Sequence, residues 1–305
     1  MFSPNRTSRI RNAEHGMKLR LKEYLRSPLG VWYRICAECA TVFRRKRSNA
    51  VENQSSLTVR DDAARQRVLS EYWMQDEKTE KKSVLYTCIT NGYDDIAEIS
   101  VPTYVNCKWD YVCFTDDAEH LRQGRIGVWK MRPLAFTLLD GTRNNRWHKF
   151  HPDVLFPAYA ESIYVDANVD ILTDWIFTEI SRRNADILLP LHPCRKCIFQ
   201  EYKMIMSQFM DDPGRILPER RLIKNSGMPK NFGMTENNVI YRRHNSSLVK
   251  EMMSECWDML EKYSKRDQLC VSWVLWKHGL HIGDVAFPSA RNDHSNFHVL
   301  PHKNH

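Results

Sequence analysis

Hydrophobic positions along this chain fall into short continuous runs rather than a strict alternation, and most of the runs end on polar turn residues. Ser83-Val84-Leu85-Tyr86-Thr87-Cys88-Ile89-Thr90 is the first and stops at Asn91-Gly92, a turn signal. Tyr111 to Thr115 repeats the pattern and stops at Asp116-Asp117. Gly127 to Met131 gives a third run, Ser162 to Val165 a fourth that leads into Asp166, and Ala185 to Leu191 a fifth. Runs of this length that are apolar on both alternating faces predict strands buried on both sides. Helical periodicity separates some of them: 152–160, 175–184, 246–263 and 268–278, with a shorter helix over 65–75 leading in. Strands alternating with helices predict a Rossmann-type α/β fold, a mixed and mostly parallel sheet flanked by helices. Ligands of such sheets bind at the carboxyl ends of the strands. Asn91, Asp116 and Asp166 each follow a predicted strand, so they are expected to share one edge.

Three segments follow from the pattern. Residues 1–47 form a basic arm with helical character, 48–81 a polar linker with a short helix, and 82–305 the catalytic body. The chain carries a formal charge of +8, concentrated in the arm from Arg6 to Arg47. Charge of this kind attracts nucleotide diphosphates, nucleic acid or anionic lipid. No nucleic-acid motif accompanies it, so nucleic acid is not the expected partner. Leu19, Leu21, Leu25, Val31, Trp32, Ile35 and Val42 can form the apolar side of an interfacial helix, with the cations against an anionic membrane surface; a helical arm packed on protein is the alternative. The nine cysteines show no secreted spacing, which predicts a cytoplasmic protein, peripheral at the inner face of the membrane if the arm docks there.

Asp166-Ala167-Asn168-Val169-Asp170 is the most informative stretch. If the preceding strand continues, Asp166, Asn168 and Asp170 face one way. They would then offer oxygen ligands to a divalent cation, Mn or Mg, that bridges to phosphates. A turn or helix cap is the other reading, since Asp and Asn favour both. Arg143, Arg146 and Lys149 lie just upstream and can clamp a diphosphate, or belong to a solvated helix. His192-Pro193-Cys194-Arg195-Lys196-Cys197 contains a CxxC, as do Cys36 and Cys39, but the gap between the pairs disfavours zinc. His192 and Arg195 are better placed to touch substrate, with Glu201 further along. Arg266-Asp267-Gln268-Leu269 opens an apolar helix: Asp267 either caps it or acts on a sugar hydroxyl. His278, His281 and His294 are scattered, each more often structural than a ligand.

Taken in order, Thr90 to Asp94, Phe114-Thr115-Asp116, Arg143 to Lys149 with His151, Ser162 to Asn168, His192 with Arg195 and Glu201, Arg242-Arg243-His244, and Arg266 to Leu269 form a set more specific than any member. On these residues the sequence resembles the glycosyltransferase-like family of the plant turgor-regulation-defect and seed-mucilage proteins and of bacterial polysaccharide loci, roughly over 82–279. The resemblance implies a GT-A-like fold, a divalent metal, a nucleotide-sugar donor, and a glycan, lipid-linked or protein acceptor. It implies that the protein is a hexosyl or related transferase of polysaccharide or glycoconjugate synthesis. It places Asn91, Gly92, Tyr93 and Asp94 in the nucleotide pocket and Asp116 near the base or ribose. Arg143, Arg146, Lys149, Arg195 and Gln268 join the donor site, and Asp166 matches the first acid of an Asp-x-Asp metal motif. Its third position here is Asn168, a neutral and weaker ligand, so either Asp170 substitutes, or metal binding is weak, or the metal role is absent. Asp267, Glu201 and His192 remain as catalytic candidates. A hydrolase using the same acids and a non-catalytic scaffold are the rival functions.

Overall fold

A computed structural model describes residues 62–76 and 80–303. The basic arm, residues 48–61 and 77–79 of the linker, and the Cys36/Cys39 pair lie outside the described residues. In chain order the elements are α1 (Asp62–Asp76), β1 (Ser83–Ile89), β2 (Trp109–Thr115), α2 (Ala118–Gln123), β3 (Arg125–Ile126) and β4 (Trp129–Pro133). There follow α3 (Gly141–Phe150), α4 (Pro152–Leu155), β5 (Glu161–Val165), β6 (Val169–Ile171), α5 (Trp175–Arg183) and β7 (Ile187–Pro190). Next come α6 (Ile198–Ser207), α7 (Pro213–Asn225), β8 (Val239–Arg242), α8 (Ser247–Lys262) and α9 (Asp267–Lys277). The chain closes with α10 (Ile282–Val285), β9 (Ala286–Phe287) and β10 (Phe297–Val299).

Eight strands form one mixed sheet in the order β3-β4-β2-β1-β5-β8-β7-β9. The β1, β2, β4 and β5 pairings are parallel, as is β7 with β9. Strand β8 runs antiparallel between β5 and β7. The α/β sheet expected from the hydrophobic runs is therefore present, and β8 is its main addition. Val239-Ile240-Tyr241 gives only three apolar residues before Arg242, too short a run to register as a strand. Only its neighbours in space satisfy its backbone and bury both its faces.

Both faces of the sheet are covered, which is why its strands read as continuous apolar runs. Tyr86, Cys88, Val112, Phe114, Tyr164 and Ile240 point to one side and pack with α8 and α9. The alternating residues Leu85, Tyr111, Ile163, Val165, Val239 and Tyr241 meet α5 and Tyr72 of α1 on the other. Helix boundaries follow local chemistry. Asp140 caps α3 by accepting from the Arg143 amide, and Ser246 caps α8 by accepting from that of Val249. The helix expected over 152–160 stops at Leu155, and that over 175–184 ends where Asn184 takes a left-handed conformation.

Arg242 and His244 belong to this scaffold. Buried Arg242 donates to the Lys149 carbonyl at 2.6 Å and to the Tyr86 hydroxyl at 2.8 Å, tying β8 to the end of α3. His244 bridges the Ser162 hydroxyl and the Phe156 carbonyl, each at 3.0 Å.

Candidate active site

Parallel strands β1, β2 and β5 deliver Asn91, Asp116 and Asp166 to one edge of the sheet. Because β8 is antiparallel, its beginning reaches that same edge: Val239 pairs with Val165, and the Asp166 amide donates to the Asn238 carbonyl at 2.8 Å. Strand β9 ends there too and is followed by Arg291. A cleft of about 550 Å³ opens over this edge, walled on its far side by α3 and the start of α9.

Lys149 sits at the bottom of the cleft. Its side chain is 1% exposed, and its ammonium lies 2.8 Å from Asp267 Oδ2, 3.4 Å from Asp166 Oδ1 and 4.8 Å from the centre of the Tyr164 ring. A buried ammonium is tolerable only with such partners. Arg146, one helical turn earlier on α3, places Nε 3.4 Å from the same Asp267 oxygen. Burial would raise the pKa of Asp267, but Arg146 and then Lys149 override it, and the carboxyl is held far below the usual carboxylate range. Asp267 is thus a fixed counter-charge and a weak proton acceptor. It is the first residue of α9 and does not cap it; the cap position is Arg266, whose side chain makes no capping bond.

The residues expected on the nucleotide side, Asn91 to Asp94, form a loop held from behind. Asn91 and Gly92 take left-handed conformations, with φ of 56° and 59°. The carboxylate of Asp116 accepts from the Asn91 amide at 3.1 and 2.9 Å, so Asp116 fixes the loop and does not line the cleft. Asn91, Tyr93 and Asp94 do line it, and Asp94 is bound by His302 at 2.9 Å. Gly141 lets α3 approach this loop: a Cβ there would meet Asn91 Nδ2 at 2.2 Å.

Several candidates are placed elsewhere. Arg143 donates to the carbonyls of Leu260 and Tyr263 at 2.9 and 2.8 Å and pairs with Asp140, so it anchors α3 to α8. The strand ending at Val165 does not continue: the Val169 amide turns back to the Asp166 carbonyl at 2.9 Å, and β6 belongs to a separate two-stranded sheet with β10. Asn168 is buried and donates to the Leu300 carbonyl at 2.7 Å. Asp170 accepts from the Thr103 amide at 2.7 Å and from its hydroxyl. Asp166, Asn168 and Asp170 therefore do not converge, because the turn rotates the second and third away from the cleft. Among the described residues no three His, Cys, Asp or Glu side chains gather as a metal site. The residues present do not fit a divalent ion on that motif.

His192, Arg195 and Glu201 make a group of their own outside the cleft lining. Arg195 pairs with Glu201, and His192 Nε2 is 4.0 Å from the same carboxylate. His192 Nδ1 accepts from the Arg195 amide at 3.0 Å, which puts the proton on Nε2. Burial, then Arg195 and Arg291, push its pKa down to about 4. Cys194 and Cys197 are free thiols beside it, and His278 pairs with Glu255 at 3.0 Å.

Sequence reasoning missed Glu236, Asn237, Asn238, Lys265 and Arg291, all in the cleft. Glu236 pairs with Arg291 and accepts from Ser289 at 2.9 Å. The side chains of Asn237 and Asn238 are buried, and both polar atoms of the Asn238 amide lack a hydrogen-bond partner. The signal was the run Glu236-Asn237-Asn238 set directly before Val239-Ile240-Tyr241, legible only once that triplet is recognised as a strand. Gln268 lines the cleft as expected. No helix among the described residues is long and apolar enough to cross a membrane.

No protein-family model matches the chain, and no curated protein is similar to it. Among solved structures it is similar to the WbbM bifunctional glycosyltransferase in its apo form, at 10% identity and a TM-score of 0.42, over 69% of this chain and 39% of that one. It is similar to the glycosyltransferase GlyE of Streptococcus pneumoniae TIGR4, at 14% identity and a TM-score of 0.39, over 69% and 45%. A third is the apo form of mouse xyloside xylosyltransferase 1, at 11% identity and a TM-score of 0.38, over 69% and 85%. The chain spans less than half the length of the first two.

Proposed function

We propose that the cleft binds a nucleotide-sugar and that the protein transfers the sugar to a glycan, lipid-linked or protein acceptor. One observation carries this reading: a fully buried lysine, shared by two carboxylates, at the strand-end edge of an α/β sheet. A buried cation at the bottom of a polar cleft is suited to the charge that develops on a departing diphosphate. Lys149 and Arg146 supply the cationic floor, and Lys265 and Arg266 extend it along the start of α9. Asn91 and Tyr93 face the nucleoside, the Tyr93 ring offering a stacking surface. The buried amides of Asn237 and Asn238 are matched to sugar hydroxyls, which would satisfy groups that otherwise lack partners.

Transfer breaks the bond between the anomeric carbon and the phosphate oxygen, and the electron pair leaves with the diphosphate. The acceptor hydroxyl oxygen bonds to that carbon and gives up its proton. Of the four carboxylates in the cleft, Asp166 is the most exposed, at 27% against 10% or less for Asp94, Glu236 and Asp267. It makes one long ion pair where Asp267 makes two contacts, so Asp166 is the proton acceptor in this scheme. Asp267 holds Lys149 and Arg146 in position, and Asp116 holds the nucleotide loop.

A panel of nucleotide-sugars, read by thermal shift and by diphosphate release with a mixed acceptor pool, tests the proposal. One nucleotide class should raise the melting temperature, and its sugar conjugate should release diphosphate. Absence of a shift with every nucleotide, with and without divalent ions, overturns it. Product formed with no activated donor would favour a hydrolase instead.

A further inference from the structure

The acidic motif does not assemble a metal site, and a buried ammonium already lies against its first acid. We infer that the donor diphosphate is held and neutralised by side-chain cations alone, with the ammonium of Lys149 in the bridging position. This rests on the nucleotide-sugar reading.

Three observations support it. The first is placement. Lys149 Nζ contacts carboxylates from two elements, Asp166 at 3.4 Å and Asp267 at 2.8 Å, with its side chain 1% exposed. A divalent ion bound to Asp166 would sit against this ammonium in a weakly screened interior, where like charges repel strongly. The second is the donor set. Asn168 is buried against the Leu300 carbonyl, Asp170 is taken by Thr103, and Asp267 faces Lys149 and Arg146. Asp94 and Glu236, the other carboxylates of the cleft, are held by His302 and Arg291, so Asp166 is the one acid of the motif left facing the cleft, and a single carboxylate is a poor anchor for an ion that wants several oxygens.

The third is charge. Five cations line the cleft (Arg146, Lys149, Lys265, Arg266 and Arg291) against four carboxylates. Asp94 is hydrogen-bonded to His302, Glu236 is paired with Arg291, and Asp166 with Asp267 are paired with Lys149 and Arg146. Lys265 and Arg266 form no ion pair with a carboxylate among the described residues. Five cations against four carboxylates give the cleft a net charge of +1, which favours an anion, with Lys265 and Arg266 at the start of α9 carrying cations that face it. The turn that carries them is anchored from below, since the Asp211 carboxylate accepts from the Ser264 hydroxyl at 2.7 Å and from the Lys265 amide at 2.8 Å.

The test is calorimetric titration of the full-length protein with uridine, guanosine, cytidine and adenosine diphosphates, first after EDTA treatment and then with saturating Mn or Mg. The diphosphate that binds should have the same affinity in both conditions, within about twofold. Lys149→Met should weaken it by at least about tenfold. Because that change leaves Asp267 with Arg146 alone, Arg266→Ala on the cleft rim serves as a second variant that leaves the buried pairs intact. It should weaken binding about tenfold in EDTA and equally in Mn. Binding that requires Mn or Mg, or that the metal tightens more than about tenfold, overturns the inference and leaves the nucleotide-sugar reading standing. Binding of no nucleotide in either condition overturns both.

Discussion

The end of β5 and the first turn of α9 each offer one carboxylate to Lys149, yet the two regions are built for different work. Asp166 follows a strand that stops in a turn, so its side chain is left 27% exposed over the cleft with one contact at 3.4 Å. Asp267 opens a helix packed into the core, and its side chain is 8% exposed between Lys149 and Arg146. In the proposed scheme, equal chemistry in unequal surroundings separates a group that meets substrate from one that holds other groups in place. Burial with two cations fixes a charge and lowers its basicity; partial exposure with one leaves it available.

Removing the α9 carboxylate should break the comparison most visibly. Asp267→Ala leaves Lys149 buried with a single distant partner, and the loss of a buried partner costs about 3–5 kcal/mol. In a body of this size that corresponds to a melting temperature lower by about 10 °C, read by differential scanning calorimetry. A change of under about 2 °C would show that Asp267 does not hold the cation. Asp166→Asn should do the reverse. Product release should fall about 10²- to 10⁴-fold in a sugar-transfer assay, with the melting temperature nearly unchanged. Full activity in this variant would remove Asp166 as the proton acceptor.

Two smaller effects sharpen the contrast. Glu219 on α7 is fully buried beneath the turn that starts α9, and burial pushes its pKa up to about 8 from an ordinary 4.5. The folded state therefore keeps a proton that the unfolded chain releases, and stability declines as pH rises through that interval. Glu219→Gln, which mimics the neutral acid, should match the parent protein near pH 4.5 and exceed it by several degrees at pH 8. A difference in melting temperature independent of pH would rule this out. On the nucleotide side, Gly141→Ala should push the Asn91 amide aside and weaken nucleoside diphosphate binding about threefold, with little change in stability, because the contact is with the end of a side chain.

Much of the scaffold was written in the sequence. The runs at Ser83, Tyr111, Ser162 and Ala185 correspond to strands because unbroken β-rich apolar stretches have only one way to bury both faces. The carboxyl ends of β1, β2 and β5 then had to share an edge, and Asn91, Asp116 and Asp166 are indeed there. Lys149 lines the cleft, one of the two outcomes that its place between Arg146 and the acidic strand leaves open. Two things were decided only in three dimensions. The turn after Asp166 sends Asn168 and Asp170 into other contacts, and no alternation pattern can reveal where a strand stops when its flanking residues suit both strand and turn. The antiparallel insertion of β8 brings Asn237 and Asn238 to the cleft from the start of a strand, across more than seventy residues of chain from Asp166. Local sequence encodes which residues want to be buried and in what period. Which charges meet, and which are left facing the cleft, depends on long-range packing that brings α3, β5 and α9 onto one lysine.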